Sequence, residues 1–495
     1  MWNDLSKKSL VVGIVLCIVF SGVSTVNLIG ADSKSNFAIV DGVTGFLTSS
    51  YNLSKYWGNK DMKLTNGTGF FDTYKDENGV WWFVDPEGYA FYSAGVDVVY
   101  AGADEDYNAT ILKKYGSYSA WANSTKQRLK DWNYNTLGAW SDYEFFPEMP
   151  YTYKFKSGRK LGRIGWEIYV LKNGSGKLVP DVFDSYWWDI VKDNISEHIE
   201  KYKSKEDPWL IGYWLDNEIS WESDPYPFDQ NTLLETYLSV PYEFNQPGKM
   251  KVVEFLIDRY KDDGIEVFNK VWNMNLKSFD ELYNITKLGR TGWKAQHFIP
   301  RIKDDIQDFT QLVAHTYFKN ITNIVRSYDP NHLILGVRFH LLGAPEEVIN
   351  ESGKYCDVVS INYYRDRLVT YDPIKYLTNI LRGTVPLDKW MQRYYKLTDK
   401  PLIVGEFCCA AMPFPLLLDL LSGGKTVRTQ KDRAGYFEWY ARNCLGAPYV
   451  IGYHWFGYFY YKGLVDINDN PYSVLVDRMA YINNMIYKLH KSCIN

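Results

Sequence analysis

The sequence has no excess of basic charge and no internal repeats, and each absence argues against a class of protein. Its 55 Lys and Arg residues stand against 59 Asp and Glu residues, so the formal net charge is −4. A nucleic-acid-binding protein needs a basic face to neutralise phosphates, so we expect no nucleic-acid partner. No repeat, low-complexity tract or Gly/Ser-rich linker interrupts the body of the chain, which argues against a structural envelope protein.

Cysteine is also scarce. Of the six cysteines, Cys17 lies in an apolar leader, and the other five are spread over the C-terminal third of the chain. Five is an odd number and no C-x-x-C spacing occurs, which argues against a zinc site and against a disulfide scaffold. One disulfide bridge and a set of buried free thiols are both compatible with these positions.

Aromatic residues are abundant instead. They make up 17% of the 495 residues, with 18 Trp and 41 Tyr. Most of them are expected in a large core, although stacking on aromatic rings is also how proteins hold the C–H faces of sugars. The hydrophobic fraction of 46% and the charged fraction of 23% indicate a folded globular chain. This length is sufficient for several small domains or for one large barrel with insertions.

The N-terminal region predicts export. Lys7 and Lys8 precede an uncharged and mostly apolar stretch that ends before Asp32. This pattern indicates a secretory signal peptide over residues 1–31, and the stretch is also long enough for a single membrane anchor. In both cases the body of the protein is expected to be extracellular, either secreted or tethered to the outer face of the membrane.

Nine Asn-x-Ser/Thr sequons are consistent with a glycoprotein. They begin at Asn52, Asn66, Asn108, Asn123, Asn173, Asn194, Asn284, Asn320 and Asn350.

Eight short apolar runs alternate with longer helix-like stretches along the body of the chain. Strands that alternate with helices form parallel βαβ units, so eight of them predict an α/β fold of the (β/α)₈ TIM-barrel type. The first run is expected to be the second arm of a hairpin. The runs are Tyr89–Val96, Asn135–Trp140, Tyr151–Phe155, Trp209–Leu215, His332–Phe339, Asp357–Asn362, Pro401–Gly405 and Tyr449–Trp455.

The stretches between the runs complete this prediction. Asp184–Tyr202 and Ile306–Ser327 contain no proline and carry apolar residues at helical spacing. Residues 222–300 exceed a simple βα loop and predict an inserted loop-and-helix excursion after strand four. We expect an N-terminal segment over residues 32–67 and the barrel domain over residues 68–490.

Two of the eight runs lead into a glutamate. The fourth run breaks into Asp216-Asn217-Glu218, and the seventh breaks into Glu406-Phe407. A carboxylate buried at the end of an apolar strand is costly unless it is paired or hydrogen-bonded, so its double occurrence indicates a chemical role. Both side chains are expected at the C-terminal face, where barrel enzymes hold their catalytic groups. Two convergent carboxylates in different environments are what the hydrolysis of a glycosidic bond requires.

The chain resembles the clan A retaining glycoside hydrolases over roughly residues 68–487. Within that clan it is most similar to the agarase-like family 50 and next to the β-galactosidases of family 42. The stretches that carry the resemblance are Trp81–Gly88, Asn135–Gly138, Pro180–Asp184, Asp216–Trp221, Asp329–Leu333 and Gly405–Phe407.

This resemblance implies a role for particular residues. Glu218 is implied as the acid/base and Glu406 as the nucleophile, with no metal or organic cofactor. Asn217 is implied to bind the sugar 2-hydroxyl, and Tyr363 or Tyr364 to hold the nucleophile ionised. The further candidates for contacts with the sugar are Trp140, Asp142, Trp214, Trp221, Arg338, His340, His454 and Trp455.

The sequence is therefore interpreted as a retaining β-glycoside hydrolase that acts on an extracellular polysaccharide or oligosaccharide by double displacement. Two alternatives stay open. One is a transglycosylase that uses the same pair of glutamates to remodel surface glycans. The other is a catalytically inactive carbohydrate-binding surface protein, against which the intact pair argues. Nothing in the sequence predicts an oligomeric state.

Overall fold

The structure is a computed structural model in which the placement of part of the chain can be described. The described residues are 51–155, 170–172, 178–219, 221, 232–241, 246–290, 299–340, 344–364, 386–411 and 425–493. The predicted leader at residues 1–31 lies outside them. The predicted boundaries at residues 31/32 and 67/68 stay predictions.

The strands and helices are numbered in chain order. The strands are β1 (Asn59–Lys63), β2 (Asp72–Lys75), β3 (Trp81–Val84), β4 (Tyr89–Phe91), β5 (Ser93–Asp97), β6 (Thr136–Leu137), β7 (Tyr151–Lys154), β8 (Val170–Lys172), β9 (Leu178–Pro180), β10 (Leu210–Trp214), β11 (Leu333–Ile334), β12 (Val359–Asn362), β13 (Leu402–Phe407), β14 (Cys409–Ala411), β15 (Lys425–Val427) and β16 (Val450–Phe456). The α-helices are α1 (Glu105–Tyr115), α2 (Tyr118–Asp131), α3 (Ser185–Tyr202), α4 (Leu233–Leu238), α5 (Pro247–Tyr260), α6 (Ile265–Trp272), α7 (Pro300–Tyr328), α8 (Glu346–Tyr355), α9 (Leu387–Thr398), α10 (Gln430–Leu445), α11 (Ser473–Asn483) and α12 (Ile486–Lys491).

Eight parallel strands form one curled sheet of the TIM-barrel type. Their order is β11-β10-β7-β6-β5-β16-β13-β12, and β16 pairs with β5 in parallel, so the last strand lies beside the first. Beyond β11, Phe339 forms a parallel bridge to Ile361 of β12, which joins the two ends of the sheet. Each predicted run overlaps one of these strands. The prediction of a parallel α/β sheet with eight strands is confirmed.

The first predicted run is divided between two sheets. The hairpin around residues 85–88 is present as β3 and β4, which belong to a separate antiparallel sheet of order β1-β4-β3-β2. The chain leaves that sheet at Tyr92 and enters the barrel as β5. The side-chain amide of Asn135 holds this junction, because its Nδ2 donates to Tyr92 O (2.9 Å) and its Oδ1 accepts from Ala94 N (2.9 Å). The expectation that one strand serves as both hairpin arm and barrel strand is therefore wrong.

The two clearest predicted helices are present. Helix α3 begins after Asp184, whose side chain caps it by accepting from Tyr186 N. Helix α7 begins six residues before the predicted segment. Helices α4, α5 and α6 lie between β10 and α7, and α4 and α5 pack against α7. The excursion over the top face stays a prediction, because residues 222–231, 242–245 and 291–298 lie outside the described part of the chain.

Among the described residues, most tryptophans and tyrosines are buried in the core or packed against it, as their abundance predicts. Trp82, Trp121, Trp214, Trp272 and Trp455 are fully buried. The five cysteines of the described residues are free thiols, and four of them are buried. Among the described residues, no helix combines the length and the apolar content that a membrane span requires.

A buried aspartate ties the end of α7 to the barrel opposite the predicted active site. Asp329 Oδ1 accepts from His332 N (3.2 Å), and its Oδ2 accepts from Tyr213 OH (2.7 Å) and lies 2.8 Å from His332 Nδ1. Burial alone would raise the pKa of Asp329, but the hydrogen bonds from His332 and Tyr213 outweigh it and lower the pKa below its usual value. The ionised carboxylate therefore stabilises the fold.

We expect Asp329→Ala to lower the free energy of unfolding by about 3 kcal/mol, because it removes the buried carboxylate beside His332 Nδ1 and leaves the Tyr213 hydroxyl with only Ser204 Oγ. Denaturant unfolding at pH 7 measures the loss. A lowered native pKa stabilises the fold above the usual carboxyl pKa, so the difference from wild type should shrink as pH falls through the native pKa. Asp308→Ala is the matched control, since it removes only a half-exposed ion pair with Arg259 and should cost less than about 1 kcal/mol. Equal losses in the two variants would contradict the assignment.

Candidate active site

The two glutamates singled out from the sequence lie at the same end of the barrel. Glu406 is the last residue but one of strand β13, and Glu218 follows β10 by four residues. The backbone N–H of Glu218 lies 3.3 Å from the carbonyl oxygens of Val337 and Arg338, beyond the end of β11. Since all eight strands are parallel, their carboxyl ends share one face, and both carboxylates belong to that face.

Glu406 is buried and is held by two donors. Arg338 Nη2 donates to its Oε1 at 2.6 Å, and the Tyr364 hydroxyl donates to its Oε2. Burial raises the pKa of Glu406 to about 7. Arg338 opposes this shift, whereas Asp97 and Glu218 add to it. Burial also raises the pKa of Tyr364, so its phenol stays a hydrogen-bond donor.

Arg338 connects the groups of the site. Its Nη2 donates to Asp97 Oδ2 (3.0 Å) as well as to Glu406, and its Nε donates to Asn217 Oδ1 (2.8 Å). The guanidinium is fully buried between the rings of Trp140 and Trp214, 4.8 and 4.9 Å from their centroids. One desolvated cation thus balances two buried carboxylates.

Glu218 has a different environment from Glu406. It is half-buried, and its Oε1 accepts from Asn362 Nδ2 at 2.9 Å. The same Nδ2 lies 3.4 Å from Asn217 Oδ1, so Asn362 faces both residues of the Asn-Glu pair. One carboxylate is therefore paired with a cation in a buried position, and the other is hydrogen-bonded to an amide near the solvent. This contrast is what a division between nucleophile and acid requires.

The backbone is strained around this face. Val98, Trp140, Glu218 and Arg338 follow four different barrel strands, and all have φ between 53° and 59°. The left-handed region costs a non-glycine residue roughly 1 kcal/mol, and more for a β-branched residue such as Val98. Such conformations concentrate at functional sites, where surrounding contacts hold them.

The structure brings six of the predicted residues together. They are Trp140, Asn217, Glu218, Arg338, Tyr364 and Glu406. Of the two tyrosines left open by the sequence, Tyr364 contacts the nucleophile candidate with its side chain. Tyr363 contributes a backbone N–H to Glu406 O, and its ring lies 6.1 Å from that of Trp390. His340 and Asp142 are half-buried beyond β11 and β6.

Other aromatic candidates do not reach the mouth. Side chains alternate along a strand, so Trp455 points away from the barrel interior while His454 points into it. Trp455 is fully buried against Phe407, and its Nε1 donates to Lys462 O. Trp221 packs on Phe318 of α7. The structure therefore corrects the expectation that these two rings are free to stack on a sugar.

Three residues at the mouth were missed by the sequence reasoning. Asp97 and Asn362 are the last residues of β5 and β12, and Phe456 is the last residue of β16. The ring of Phe456 lies 6.0 Å from that of Trp140 and 6.3 Å from that of Tyr364. The rule that selected the glutamates, a polar residue at the end of an apolar run, also selects Asp97 and Asn362.

A parallel eight-stranded barrel with unlike carboxylates after its fourth and seventh strands is typical of the TIM-barrel glycoside hydrolases. Comparison with known proteins agrees with this class. No family model matches the chain. Two curated relatives from Vibrio sp. (strain JT0107) do match it, and both are β-agarases.

β-agarase B is 26% identical over 523 residues, which cover 88% of this chain and 50% of the relative. β-agarase A is 23% identical over 507 residues, which cover 88% of this chain and 48% of the relative. The chain therefore spans about half the length of the curated relatives that it matches.

Solved structures show the same fold. The structure of an exo-β-agarase has a TM-score of 0.70 and 24% identity, covering 88% of this chain and 68% of that chain. A β-galactosidase from the psychrophilic Marinomonas ef1 has a TM-score of 0.52 and 12% identity, covering 81% and 60%. The resemblance to agarase-like glycoside hydrolases, with β-galactosidases next, is confirmed.

The raised pKa of Glu406 predicts a pH-dependent stability. Because the native carboxyl binds its proton more tightly than the unfolded one, it stabilises the fold below its usual pKa of 4.5 and loses this effect as pH rises to about 7. Glu406→Gln has no carboxyl group that titrates at this position. Its free energy of unfolding relative to wild type should therefore rise between pH 4 and pH 8, by at most about 3 kcal/mol. Denaturant unfolding at both pH values measures this, and the exposed Glu254→Gln should show no such trend. A constant difference for Glu406→Gln would contradict the raised pKa.

Proposed function

We propose that this protein is a retaining β-glycoside hydrolase in which Glu406 is the nucleophile and Glu218 the acid/base. The observation that carries the proposal is the difference between the environments of the two carboxylates. Arg338 and Tyr364 hold the Glu406 carboxylate in place. A nucleophile must be held in this way, because it attacks one carbon atom from one direction. Glu218 is half-buried, so it can give a proton to a leaving group and later take one from water.

In the first step, the Glu406 carboxylate attacks the anomeric carbon while Glu218 protonates the departing glycosidic oxygen. Glu406 loses its negative charge in the covalent intermediate. Asp97 still holds Arg338 at that stage through its own hydrogen bond to Nη2, so the guanidinium keeps its position. In the second step, Glu218 takes a proton from water, and the water displaces Glu406 from the sugar.

Asn217 is suited to bind the sugar 2-hydroxyl. Its Oδ1 accepts from Arg338 Nε, which orients the amide. The Nδ2 donors are then directed away from the guanidinium. A hydrogen bond to the 2-hydroxyl that strengthens in the transition state contributes several kcal/mol in glycosidases of this kind.

The substrate that best fits is an extracellular β-linked polysaccharide or oligosaccharide of the agar or β-galactoside type. Support for the sugar comes from the β-agarases and the β-galactosidase to which the chain is similar. Trp140 is 39% exposed beside Phe456 and offers a face for stacking at the mouth. A polysaccharide of this type is encountered outside the cell, which agrees with the predicted export signal or anchor at residues 1–31. The excursion at residues 222–300 is proposed to shape the substrate cleft.

We expect Glu406→Gln to abolish hydrolysis while the fold is kept, because an amide is not a nucleophile of comparable strength. Glu218→Ala should slow substrates with poor leaving groups about 10²- to 10⁴-fold but activated aryl glycosides far less, since only the former need the proton. Steady-state kinetics on both substrate types measure the contrast, with Glu254→Gln as a control that should match wild type. An equal loss on both substrate types would contradict the acid/base role of Glu218.

Product analysis separates the proposal from its alternatives. Retention predicts that the first product, followed by NMR, carries the β-anomeric configuration before mutarotation. Inverted product would exclude the double displacement. With added acceptor sugar, transfer to the acceptor should be much faster than hydrolysis only if the protein is a transglycosylase. Binding without turnover across a glycan panel would favour an inactive carbohydrate-binding protein.

The exposed face of Trp140 predicts a contribution to substrate binding. Trp140→Ala should raise KM about tenfold, equivalent to about 1.4 kcal/mol of lost binding. Trp140→Phe should restore most of it, because an aromatic face is kept. Trp221→Phe is the matched control, since Trp221 is buried against Phe318 of α7. An unchanged KM in Trp140→Ala would remove this ring from the binding site.

A further inference from the structure

A row of buried polar side chains crosses the barrel interior beneath the two glutamates. His454 is its second member, with Nδ1 3.5 Å from Asp97 Oδ1 and Nε2 2.9 Å from Ser93 Oγ. Ser93 Oγ is 2.9 Å from Thr136 Oγ1, and Thr136 Oγ1 is 3.0 Å from Asn135 Oδ1. His454 is fully buried. It is placed beneath the site and not where a sugar is bound.

The direction of each hydrogen bond follows from the end of the row. Asn135 cannot rotate its amide, because Oδ1 accepts from Ala94 N and Nδ2 donates to Tyr92 O. Thr136 must therefore donate to Asn135 Oδ1. Ser93 must then donate to Thr136, because the Thr136 hydrogen is already used. His454 in turn donates from Nε2 to Ser93.

This order leaves one contact without a donor hydrogen. The row has four contacts, but neutral His454, Ser93 and Thr136 supply three hydrogens. Three contacts measure 2.9 to 3.0 Å, and the contact between His454 Nδ1 and Asp97 Oδ1 measures 3.5 Å. Within the described part of the chain, Nδ1 has no hydrogen-bond partner. A neutral His454 thus turns a lone pair toward a carboxylate, and one further proton would complete the row.

The surroundings connect this proton to the nucleophile. Asp97 shares Arg338 Nη2 with Glu406, and Glu406 is also faced by Tyr364 and Glu218. Burial lowers the pKa of His454 and raises that of Glu406 to about 7. A positive charge on His454 disfavours a proton on Glu406, and the reverse also holds. The charge of Arg338 also acts on His454 and lowers its pKa, and the uncharged ring of Trp214 lies 6.1 Å from the imidazole.

We propose that the contact between His454 Nδ1 and Asp97 Oδ1 is a second proton-binding site of the active site, and that a proton bound there disfavours a proton on Glu406. His454 is then a positioning residue that keeps the nucleophile ionised at lower pH. The kinetic consequence rests on the proposed function, whereas the proton site itself does not.

Nitrogen NMR of the full chain with ¹⁵N-labelled histidine tests the proton site without any activity. The His454 signals are identified by their loss in His454→Gln. At high pH they should show the Nε2–H tautomer with an unprotonated Nδ1, and on acidification they should change to imidazolium. An Nδ1–H tautomer at high pH, or no titration while the fold persists, would overturn the proposal.

Thr136→Val sharpens this test without changing the histidine or the side-chain volume much. The Ser93 hydroxyl loses its acceptor and becomes free to donate to His454 Nε2. The neutral tautomer should then switch to Nδ1–H, which faces Asp97. An unchanged tautomer would contradict the hydrogen-bond order derived for the row.

The pH profile of kcat/KM tests the competition. When two coupled sites disfavour each other's proton, removal of the second site lowers the ionised fraction of Glu406 at pH values below its pKa. Relative to its own plateau, His454→Gln should therefore lose more activity than wild type on acidification, so the acid limb of its profile should move to higher pH. His315→Gln, on the surface of α7, is the matched control and should keep the wild-type profile. Identical acid limbs in wild type and His454→Gln would refute the competition, and an inactive chain with a titrating His454 would refute only the proposed function.

Discussion

The arrangement of the candidate site depends on one buried cation. Arg338 bonds Asp97, Asn217 and Glu406, which come from three different segments at the ends of β5, β10 and β13. Two buried carboxylates near each other would repel and remain poorly solvated without it. The two indole rings on either side fix the plane of the guanidinium. The geometry of the nucleophile candidate is therefore set by a side chain that belongs to neither glutamate strand.

This dependence explains why the two glutamates differ although their sequence contexts are similar. Both follow an apolar strand, but only Glu406 lies within reach of the guanidinium. Glu218 is turned toward Asn362 by a left-handed backbone conformation. Strain of this kind is maintained only by surrounding contacts. The local conformation at Glu218 and the long-range contact of Arg338 with Glu406 thus together give the two glutamates their different environments.

The sequence predicts the barrel well because each barrel strand coincides with a short apolar run. The parallel arrangement of the strands follows from their alternation with helices. It predicts Glu218, Glu406, Asn217, Arg338, Tyr364 and Trp140 at one face for the same reason. It fails at Trp455, because the side of a strand that a ring occupies depends on the register of β16 against β5. It also misses Asp97, because the contact that places Asp97 in the site comes from Arg338, which lies far along the chain.

The pairing of β5 with β16 has a consequence for how the molecule is made. The first and the last barrel strands are neighbours, so the sheet cannot close until nearly the whole chain has been synthesised. Contacts between such distant segments form slowly and leave strand edges open in the meantime. Arg338 precedes Glu406 along the chain, so a cation is already in place when the second acidic strand arrives. Asp97 thus has no such cation until Arg338 is synthesised, whereas Glu406 meets one that is already present.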